Sequence, residues 1–571
     1  MSGFDMTAAN LGFAKEALFA GDAETARAIL EPLAEQAPAV ADIRYCLASA
    51  RAATGDGIGA SEALDDARTL HAVQLVQAAG IDVARCRVDG DYAARVASNL
   101  YSQHHVAVSS VIFGLAIQAG HTSQAGLLTY ALALQHQGRA EEAIRVFKAA
   151  DELYPSAAVR QFALYPHFMI ENGPAEYAKA AREWADLYAP SSTEKPAFAN
   201  RPLAGRKLRI GYVAPNFSSS QLTQFITPIL ESHDQDAVEI FLYPAKLETE
   251  QGWKMPMAIQ AIGHLSDDDA AALIRSDQID ILVDCWGHSA GSRLAVFGKR
   301  CAPVQCAWIN FVQTTGLSAM DYVLHADSID APGTAELFTE TIWPIGPVFI
   351  PYRPAKGRLD PQPTPAFKNG YVTFGSFNHS AKLSHATVRA WGAILNGRPN
   401  SKLVLKYRYF MDPVLQRATL ARFAAEGIAP DRIQFRGHST GVDYLKEFAD
   451  IDLALDPSPC PGGTTTCEAL SNGVPLLTLK GPDFYSRIGV PSLIPLGLEE
   501  LIAESWDDYI EKAIALSASV PALNALRARI RPAYDASVYC DDVGFTRNVE
   551  ASFLAMARKA LEGDAALAGA A

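Results

Sequence analysis

Glycines recur at nearly equal intervals through the first ~190 residues of the chain. Gly21, Gly55 and Gly90 are spaced 34 and 35 residues apart, and Gly138 and Gly173 are again 35 residues apart. A period near 34 is typical of antiparallel helix pairs that stack side by side. The interval of 48 residues between Gly90 and Gly138 indicates that the middle of the array is degenerate or carries an additional helix. We therefore predict a helical solenoid over residues 1–190.

The clearest single repeat runs from Leu127 to Pro155. Ala131, Ala143 and Ala150 provide small packing positions, Phe147 fills the groove between two helices, and Pro155 ends the second helix. This arrangement is TPR-like. An ordinary helical bundle is the alternative. Short arrays of this kind present a concave surface to a peptide or a protein, and they also self-associate, so a homodimer stays open.

Past a polar, proline-containing linker at residues 191–204, the hydrophobic period changes to alternating strands and helices. Such alternation predicts parallel sheets with right-handed crossovers. The fold class is therefore a TPR-like solenoid followed by an α/β unit of two Rossmann-like domains, at 205–365 and 366–542, and by a C-terminal helix and tail at 543–571. The predicted strands are 207–213, 239–243, 279–284, 372–377, 402–407, 433–436, 453–456 and 475–479.

Composition excludes several classes of function. The net charge of −14 argues against general nucleic-acid binding. No run of ~18 apolar residues is present, so we expect no membrane span, and the first residues do not resemble an export signal. Eight cysteines in 571 residues form no disulfide framework. We expect a cytoplasmic protein.

The most informative motif for function is the block Asp456–Glu468, which follows a predicted strand. Gly462 and Gly463 allow a close approach of the backbone to an anion, and three threonines, residues 464–466, open a predicted helix. The N-terminus of a helix attracts phosphate. Glu468 lies one turn into the helix, where its carboxylate would accept from ribose hydroxyls. A capped strand–turn–helix without any ligand is the alternative.

Two further loops follow predicted strands and carry candidate chemistry. Lys382 follows the first strand of the second sheet, where its ammonium group would neutralise a diphosphate; an ordinary surface lysine is the alternative. Asp284 and His288 follow a strand of the first sheet, and a histidine there is suited to proton transfer. A structural histidine bonded to the backbone is the alternative. The loop Asn310–Gly316 is polar and would donate hydrogen bonds to a sugar or phosphate.

No metal site is predicted. Ser266–Asp269 is acidic, but it precedes a helix and is explained by capping and by the helix dipole. The pairs Cys301/Cys306 and Cys460/Cys467 lack matching histidines, which makes zinc improbable.

Together these residues resemble the O-GlcNAc transferase/SPINDLY family of TPR-containing protein glycosyltransferases. The matched segments occur in order along nearly the whole chain: Lys207–Val213, Arg300–Gln305, Thr315–Gly316, Met320–Tyr322, Phe377–Asn378 with Lys382, Ala390–Leu395, Pro399–Leu403 and Asp456–Glu468. The resemblance implies a GT-B unit, with acceptor binding by the first domain and donor binding by the second. It also implies inversion at the anomeric carbon, no required metal or cofactor, and a nucleotide sugar as co-substrate.

Residue by residue, Lys382 matches the family's diphosphate lysine, Thr464 and Thr465 match its phosphate-binding threonines, and Glu468 matches an acidic residue on the ribose. The chain departs from the O-GlcNAc transferase pattern at Ser220, Gln224, Tyr444, Gly463 and His379. The donor therefore stays open between UDP-GlcNAc, GDP-fucose and a CMP-nonulosonate. The predicted catalytic residues are Lys382, His288 and Asp284, with His288 preferred as acceptor base. The predicted donor-binding residues are Asn378, His379, Tyr444, Gly462, Gly463, Thr464, Thr465, Thr466, Glu468, Gln313, Thr314, Thr315 and Gly316.

The sequence thus predicts an inverting transferase that moves a sugar to Ser or Thr of a protein chosen by the TPR arm, with bacterial flagellin as a candidate acceptor. A TPR adaptor whose GT-B unit has lost catalysis is the alternative, motivated by the missing histidines. A nucleotide-sugar epimerase is a third reading, but it makes no obvious use of the arm.

Overall fold

The computed structural model describes residues 3–170, 172–191, 198, 202–218, 220–247, 257–310, 313–329, 331–354, 357–358 and 360–568. Most of the predicted linker and the end of the tail lie outside these residues. The N-terminal part is a helical arm. Its helices are α1 Gly3–Phe19, α2 Ala23–Gln36, α3 Ala41–Ala53, α4 Gly57–Ala78, α5 Val83–Cys86, α6 Gly90–Ser102, α7 Val106–Gln118, α8 Gln124–His136, α9 Ala140–Leu153, α10 Ala157–Phe162 and α11 Gly173–Tyr188.

The turns inside the helix pairs explain the glycine spacing and correct part of its interpretation. Gly21, Gly55 and Gly138 connect the two helices of a pair, with φ between 79° and 85°. The matching turn between α6 and α7 is made by His104, with φ 69°, which lies 34 residues before Gly138. Gly90 instead begins α6, so its interval from Gly55 is a coincidence. The long α4 and the extra short helix α5 produce the break in the period.

The repeat predicted from Leu127 to Pro155 is the helix pair α8 and α9. Ala131, Ala143, Ala150 and Phe147 are fully buried between and beside these helices. The contact surfaces of these two helices are therefore built mainly from small residues, which lets the helix backbones approach closely around the Phe147 ring.

Two parallel sheets follow the arm, as the alternating pattern predicts. The first has the order β3-β2-β1-β4-β5-β6-β7 and the second the order β10-β9-β8-β11-β12-β13. The strands are β1 Leu208–Val213, β2 Val238–Tyr243, β3 Ala258–Ile259, β4 Ile281–Asp284, β5 Val304–Ala307, β6 Tyr322–His325, β7 Thr341–Pro344, β8 Val372–Ser376, β9 Ser401–Lys406, β10 Ile433–Arg436, β11 Leu453–Leu455, β12 Leu476–Leu479 and β13 Ile502–Ala503. The strand order reverses beside β1 in the first sheet and beside β8 in the second.

Helices cover both sheets, and the last one returns to the first sheet. They are α12 Ser220–Ser232, α13 Asp267–Ser276, α14 Leu294–Gly298, α15 Ala366–Asn369, α16 His385–Gly397, α17 Pro413–Ala424, α18 Gly441–Glu447, α19 Thr464–Ser471, α20 Trp506–Leu516, α21 Val520–Asp535 and α22 Asp542–Ala568. In α22, Phe545 and Phe553 pack on Trp308, and Glu550 accepts a bond from His233 at 2.8 Å. The chain end therefore belongs to the first lobe. The Ser266 cap is also present: its hydroxyl accepts from the Asp269 amide at the start of α13.

The arm packs directly on the second lobe. The buried Asp412 carboxylate accepts from the backbone amides of Ala107 and Val108, at 2.7 and 3.2 Å, and from Val414 and Leu415 in its own helix. One carboxylate thus caps α7 of the arm and α17 of the lobe together. The fold prediction of a helical arm followed by two Rossmann-like domains is confirmed. Within the described residues, no helix has both the length and the apolarity required to cross a bilayer.

Candidate functional site

The site begins where the strand order of the second sheet reverses. β8 ends at Ser376 and leads to Lys382, and its neighbour β11 ends at Leu455 and leads to the Asp456–Glu468 block. In an open parallel sheet, ligands bind in the crevice at this point, outside the carboxyl ends of the strands. Residues that lie about 80 positions apart in sequence are therefore adjacent in space.

Lys382 reaches across this crevice. Its Nζ donates to the Pro461 carbonyl at 2.7 Å and lies 3.5 Å from the Asn378 side-chain oxygen. The side chain is partly buried and lines a cavity between the lobes. The ammonium group therefore has a fixed position beside the start of α19 and retains donor capacity toward the cavity.

The N-terminus of α19 is open toward the same cavity. Gly463 is its N-cap and supplies no side chain to bond the first amides. Thr464 lines the cavity, whereas the Thr465 hydroxyl donates to Asn378 at 3.0 Å and Thr466 is fully buried. The three threonines thus divide into one that faces the cavity and two that face the protein. An open helix start with free amides favours an anionic group.

Asp456 organises the turn before α19. Its buried carboxylate accepts from the Gly462 amide at 2.7 Å and from the Thr478 hydroxyl at 3.0 Å. Burial raises its pKa to about 6, against the opposing effect of the Gly462 bond and the Lys382 charge. A Cβ at Gly462 would lie 2.5 Å from the hydroxyl oxygens of Thr465 and Thr466. Glycine is therefore required here for packing around the carboxylate.

The cavity itself lies between the two lobes and has a volume of about 160 Å³. Its walls are largely apolar on the first lobe, and Lys382 is the one charged side chain among the described lining residues. These are Leu222, Phe225, Ile309, Asn310, Phe349, Ile350, Lys382, Pro461, Gly463, Thr464, Cys467, Tyr485, Ile488, Ser492 and Tyr539.

Tyr444 and Glu468 form a pair one turn into α19. The tyrosine hydroxyl donates to the Glu468 carboxylate at 2.5 Å, and burial raises the pKa of Glu468 to about 7. The Lys406 ammonium lies 5.6 Å from the Tyr444 ring centre. The structure brings both predicted residues together next to the crevice, but neither is among the residues that line the cavity.

His379 packs between the loop that carries Lys382 and the helical arm. Its Nδ1 accepts from the Ala381 amide at 2.9 Å, and its ring packs 4.9 Å from His136 of the arm and 4.4 Å from Tyr407. Burial lowers the pKa of His379 well below its ordinary value. The Ser380 hydroxyl also donates to the His136 carbonyl at 2.6 Å. The neutral imidazole is therefore part of the contact between arm and loop.

His288 and Asp284 are not among the described residues that line the cavity. His288 is buried against Trp184 of the arm, and its Nε2 donates to the Thr315 carbonyl at 2.8 Å; burial lowers its pKa to about 4. The Asp284 carboxylate accepts from the Gly287 amide at 2.7 Å, and burial raises its pKa to about 7. The arm covers this loop and neither residue is among those that line the cavity, which argues against His288 as the acceptor base.

The loop that includes Gln313–Gly316 also faces the arm. The Thr314 hydroxyl donates to Glu340 at 2.6 Å, and the Thr315 amide donates to the same carboxylate at 2.7 Å. A Cβ at Gly316 would collide with the Ala181 backbone in α11. Gln313 is buried, and neither polar atom of its side chain has a partner within the described residues. The arm contacts Thr314 and Gly316, and none of the four residues is among those that line the cavity, which argues against their contact with the donor.

Comparison with known proteins decides the family. A model of glycosyl transferase family 41 matches residues 192–345 and 365–549, which is more than half of the chain. The chain belongs to glycosyl transferase family 41. Among family 41 relatives, it is 32% identical over 396 residues to a probable UDP-N-acetylglucosamine–peptide N-acetylglucosaminyltransferase SPINDLY of Oryza sativa subsp. japonica, covering 68% of this chain and 43% of the relative. The chain thus spans less than half the length of the curated relatives it matches.

Two further matches extend the comparison. The probable UDP-N-acetylglucosamine–peptide N-acetylglucosaminyltransferase SEC of Arabidopsis thaliana is 27% identical over 370 residues, 62% of this chain and 37% of the relative. A solved mutant of the Thermobaculum terrenum O-GlcNAc transferase superposes with a TM-score of 0.75 at 25% identity, covering 99% of both chains. The arm and both lobes therefore share the architecture of this solved O-GlcNAc transferase.

Sequence reasoning assigned no individual role to three contributors to this site. The Pro461 carbonyl holds Lys382, Asp456 holds the glycine turn, and Tyr485 lines the cavity. Asp456 ends a predicted strand, so its position at the carboxyl edge of the sheet could be inferred from the sequence. Tyr485 follows β12, the neighbour of β11, and the same edge rule would have placed it near the site.

Proposed function

We propose that this chain is a protein O-glycosyltransferase that uses a nucleotide sugar as donor. The observation that carries the proposal is the pairing of Lys382 with the open start of α19 at the mouth of the interlobe cavity. A lysine and helix amides directed at one point are suited to phosphate oxygens. The names of its family 41 relatives, peptide N-acetylglucosaminyltransferases, support a protein as acceptor.

In this proposal the second lobe binds the nucleotide and the cavity holds the sugar. When the anomeric bond breaks, negative charge develops on the departing phosphate. Lys382 and the α19 dipole lie where this charge would be stabilised. The hydroxyl of Thr464 adds a donor beside them. Attack by a Ser or Thr hydroxyl from the first-lobe side, opposite the departing phosphate, would give inversion.

The acceptor base stays unassigned in this proposal. Asp, Glu and His are absent from the described residues that line the cavity. The acceptor hydroxyl would therefore lose its proton to solvent, to the departing phosphate or to a group brought in with the acceptor. The arm, which packs against both lobes, would present the acceptor protein, and bacterial flagellin is our specific candidate.

The donor is chosen by groups beside the phosphate site. Tyr444 offers a ring for a nucleobase, and Glu468 offers an acceptor for ribose hydroxyls once its bond to Tyr444 opens. UDP-GlcNAc, GDP-fucose and CMP-nonulosonates all fit this description, since each joins a nucleoside to a phosphate and a sugar.

A panel experiment tests the proposal. The full chain is titrated calorimetrically with UDP-, GDP- and CMP-sugars and is then incubated with each sugar and with flagellin. We expect one nucleotide class to bind and the acceptor to gain the mass of the matching sugar. Turnover of the nucleotide sugar without an acceptor protein would point to an epimerase instead.

An inactive adaptor is the second candidate, and the absence of Asp, Glu and His from the described residues that line the cavity favours it. An adaptor would bind none of the nucleotide sugars in the calorimeter while still binding a protein. Binding of one nucleotide class with no transfer to flagellin would remove flagellin as the acceptor, and leave the donor site intact.

A further inference from the structure

We propose that Tyr485 contacts the sugar of the bound donor and that the helical arm sets its position through Phe168. The inference deepens the proposed function, on which it rests, by assigning a sugar-side residue to the donor site. It arises from a stack of aromatic rings that runs from the core of the arm to the interlobe cavity.

The stack has three members. Tyr177 in α11 is fully buried and packs parallel to Phe168, with ring centres 4.8 Å apart. Phe168, which is also buried, packs on Tyr485 at 4.1 Å with an angle of 20° between the rings. The Tyr177 hydroxyl donates to the Thr314 carbonyl of the first lobe at 2.9 Å. The ring of Tyr485 is therefore held by the arm, which is itself fixed to the first lobe.

The polar end of Tyr485 lies at the phosphate site. Its hydroxyl is 3.0 Å from the Cys460 thiol, and Cys460 directly precedes Pro461, whose carbonyl holds Lys382. A thiol is a weak partner, so the hydroxyl retains capacity for a stronger one. Burial raises the pKa of Tyr485 well above its ordinary value, so the group stays protonated and can donate.

The location of Tyr485 favours the sugar over the nucleoside. Lys382 and Thr464 mark the place of the phosphates, while Tyr444 and Glu468 lie outside the cavity lining. Tyr485 lines the cavity together with residues of the first lobe, such as Asn310. A donor whose phosphates lie at α19 and whose nucleoside lies toward Tyr444 projects its sugar into this space. The Tyr485 hydroxyl would then donate to a hydroxyl of the sugar.

Tyr485→Phe tests the contact, because it removes one oxygen and preserves the ring stack. The affinity of the full chain is measured by calorimetry for the nucleotide sugar that binds and for the corresponding free nucleoside diphosphate or monophosphate. We expect the Kd of the nucleotide sugar to rise about 10-fold, the value of one hydrogen bond, and that of the free nucleotide to change less than about 2-fold. The control is Tyr534→Phe, whose hydroxyl donates to the Tyr352 carbonyl outside the cavity lining; it should alter neither affinity.

Phe168→Leu tests the part played by the arm. Loss of the stacked ring should weaken nucleotide-sugar binding selectively, and Phe168→Tyr, which restores a ring, should recover it. The inference is overturned if Tyr485→Phe changes neither affinity or changes both equally, or if Phe168→Leu and Phe168→Tyr behave alike. Failure of the parent chain to bind any nucleotide would instead refute the proposed function, so the two failures are distinguishable.

Discussion

The two sheets reverse their strand order in the same way, yet the loop after β4 in the first sheet packs on the arm, whereas both loops at the reversal in the second sheet reach the cavity. In the second sheet, the loops after β8 and β11 present Lys382 and Thr464 to the space between the lobes. In the first sheet, β4 ends at Asp284 and the loop after it carries His288, which packs on Trp184 of the arm. Topology therefore indicates where a site is possible, and the neighbouring elements decide whether that site is accessible.

The charges at the two strand-order reversals also differ. At the reversal in the second sheet, Lys382 and the first amides of α19 provide positive charge beside a cavity that can hold an anion. At the first, burial favours the neutral forms of both titratable groups, because it raises the pKa of Asp284 to about 7 and lowers that of His288 to about 4. Neutral, fully bonded groups of this kind stabilise a contact. We conclude that the loop after β4 in the first sheet serves as a contact surface for the arm.

Lys382→Ala should produce the largest effect, because it removes the cation from the open point. We expect transfer to fall by about 100- to 1,000-fold in kcat, the usual loss when one charge-stabilising donor is removed, with an unchanged melting temperature. Mass spectrometry of the acceptor measures the transfer. Lys480→Ala, which breaks only an exposed pair with Glu504, is the matched control. Near-normal turnover by Lys382→Ala would contradict the phosphate assignment.

Asp284→Asn should alter the pH dependence of stability at the covered point. Because the folded protein raises this pKa from 3.8 to about 7, the stabilising effect of the group is complete below pH 3.8 and is lost as the pH rises through 7. The asparagine variant stays neutral. Its free energy of unfolding, relative to the parent, should therefore rise by roughly 1–4 kcal/mol from pH 4 to pH 8. Denaturant titrations at both pH values measure this; parallel curves would show that Asp284 is not buried as described.

His288→Gln should produce the smallest effect on chemistry. The change removes the bond to the Thr315 carbonyl and disturbs packing on Trp184, so we expect a loss of about 1–3 kcal/mol in unfolding free energy. Turnover at a temperature where the variant stays folded should remain within about 3-fold of the parent. A folded variant with a 100-fold lower kcat would restore His288 as the acceptor base and would break the comparison.

The sequence predicted the positions of strands and helices better than the tertiary contacts that their side chains make. Hydrophobic alternation located the strands on both sides of each reversal, and glycine and threonine spacing located the start of α19, because these signals are local. Whether Thr314 would face the cavity depends on packing against α11, whose Tyr177 lies 137 residues earlier in the chain. Gly90 shows a similar limit: its spacing matched the period, but its role is close packing at a helix start.

A crystal structure of the chain with its bound nucleotide tests the central claim most directly. We expect a phosphate group within hydrogen-bond distance of Lys382 Nζ and of the first amides of α19, with the sugar directed toward Tyr485. A nucleotide bound at the first sheet, near Asp284 and His288, or a phosphate remote from Lys382, would contradict the account.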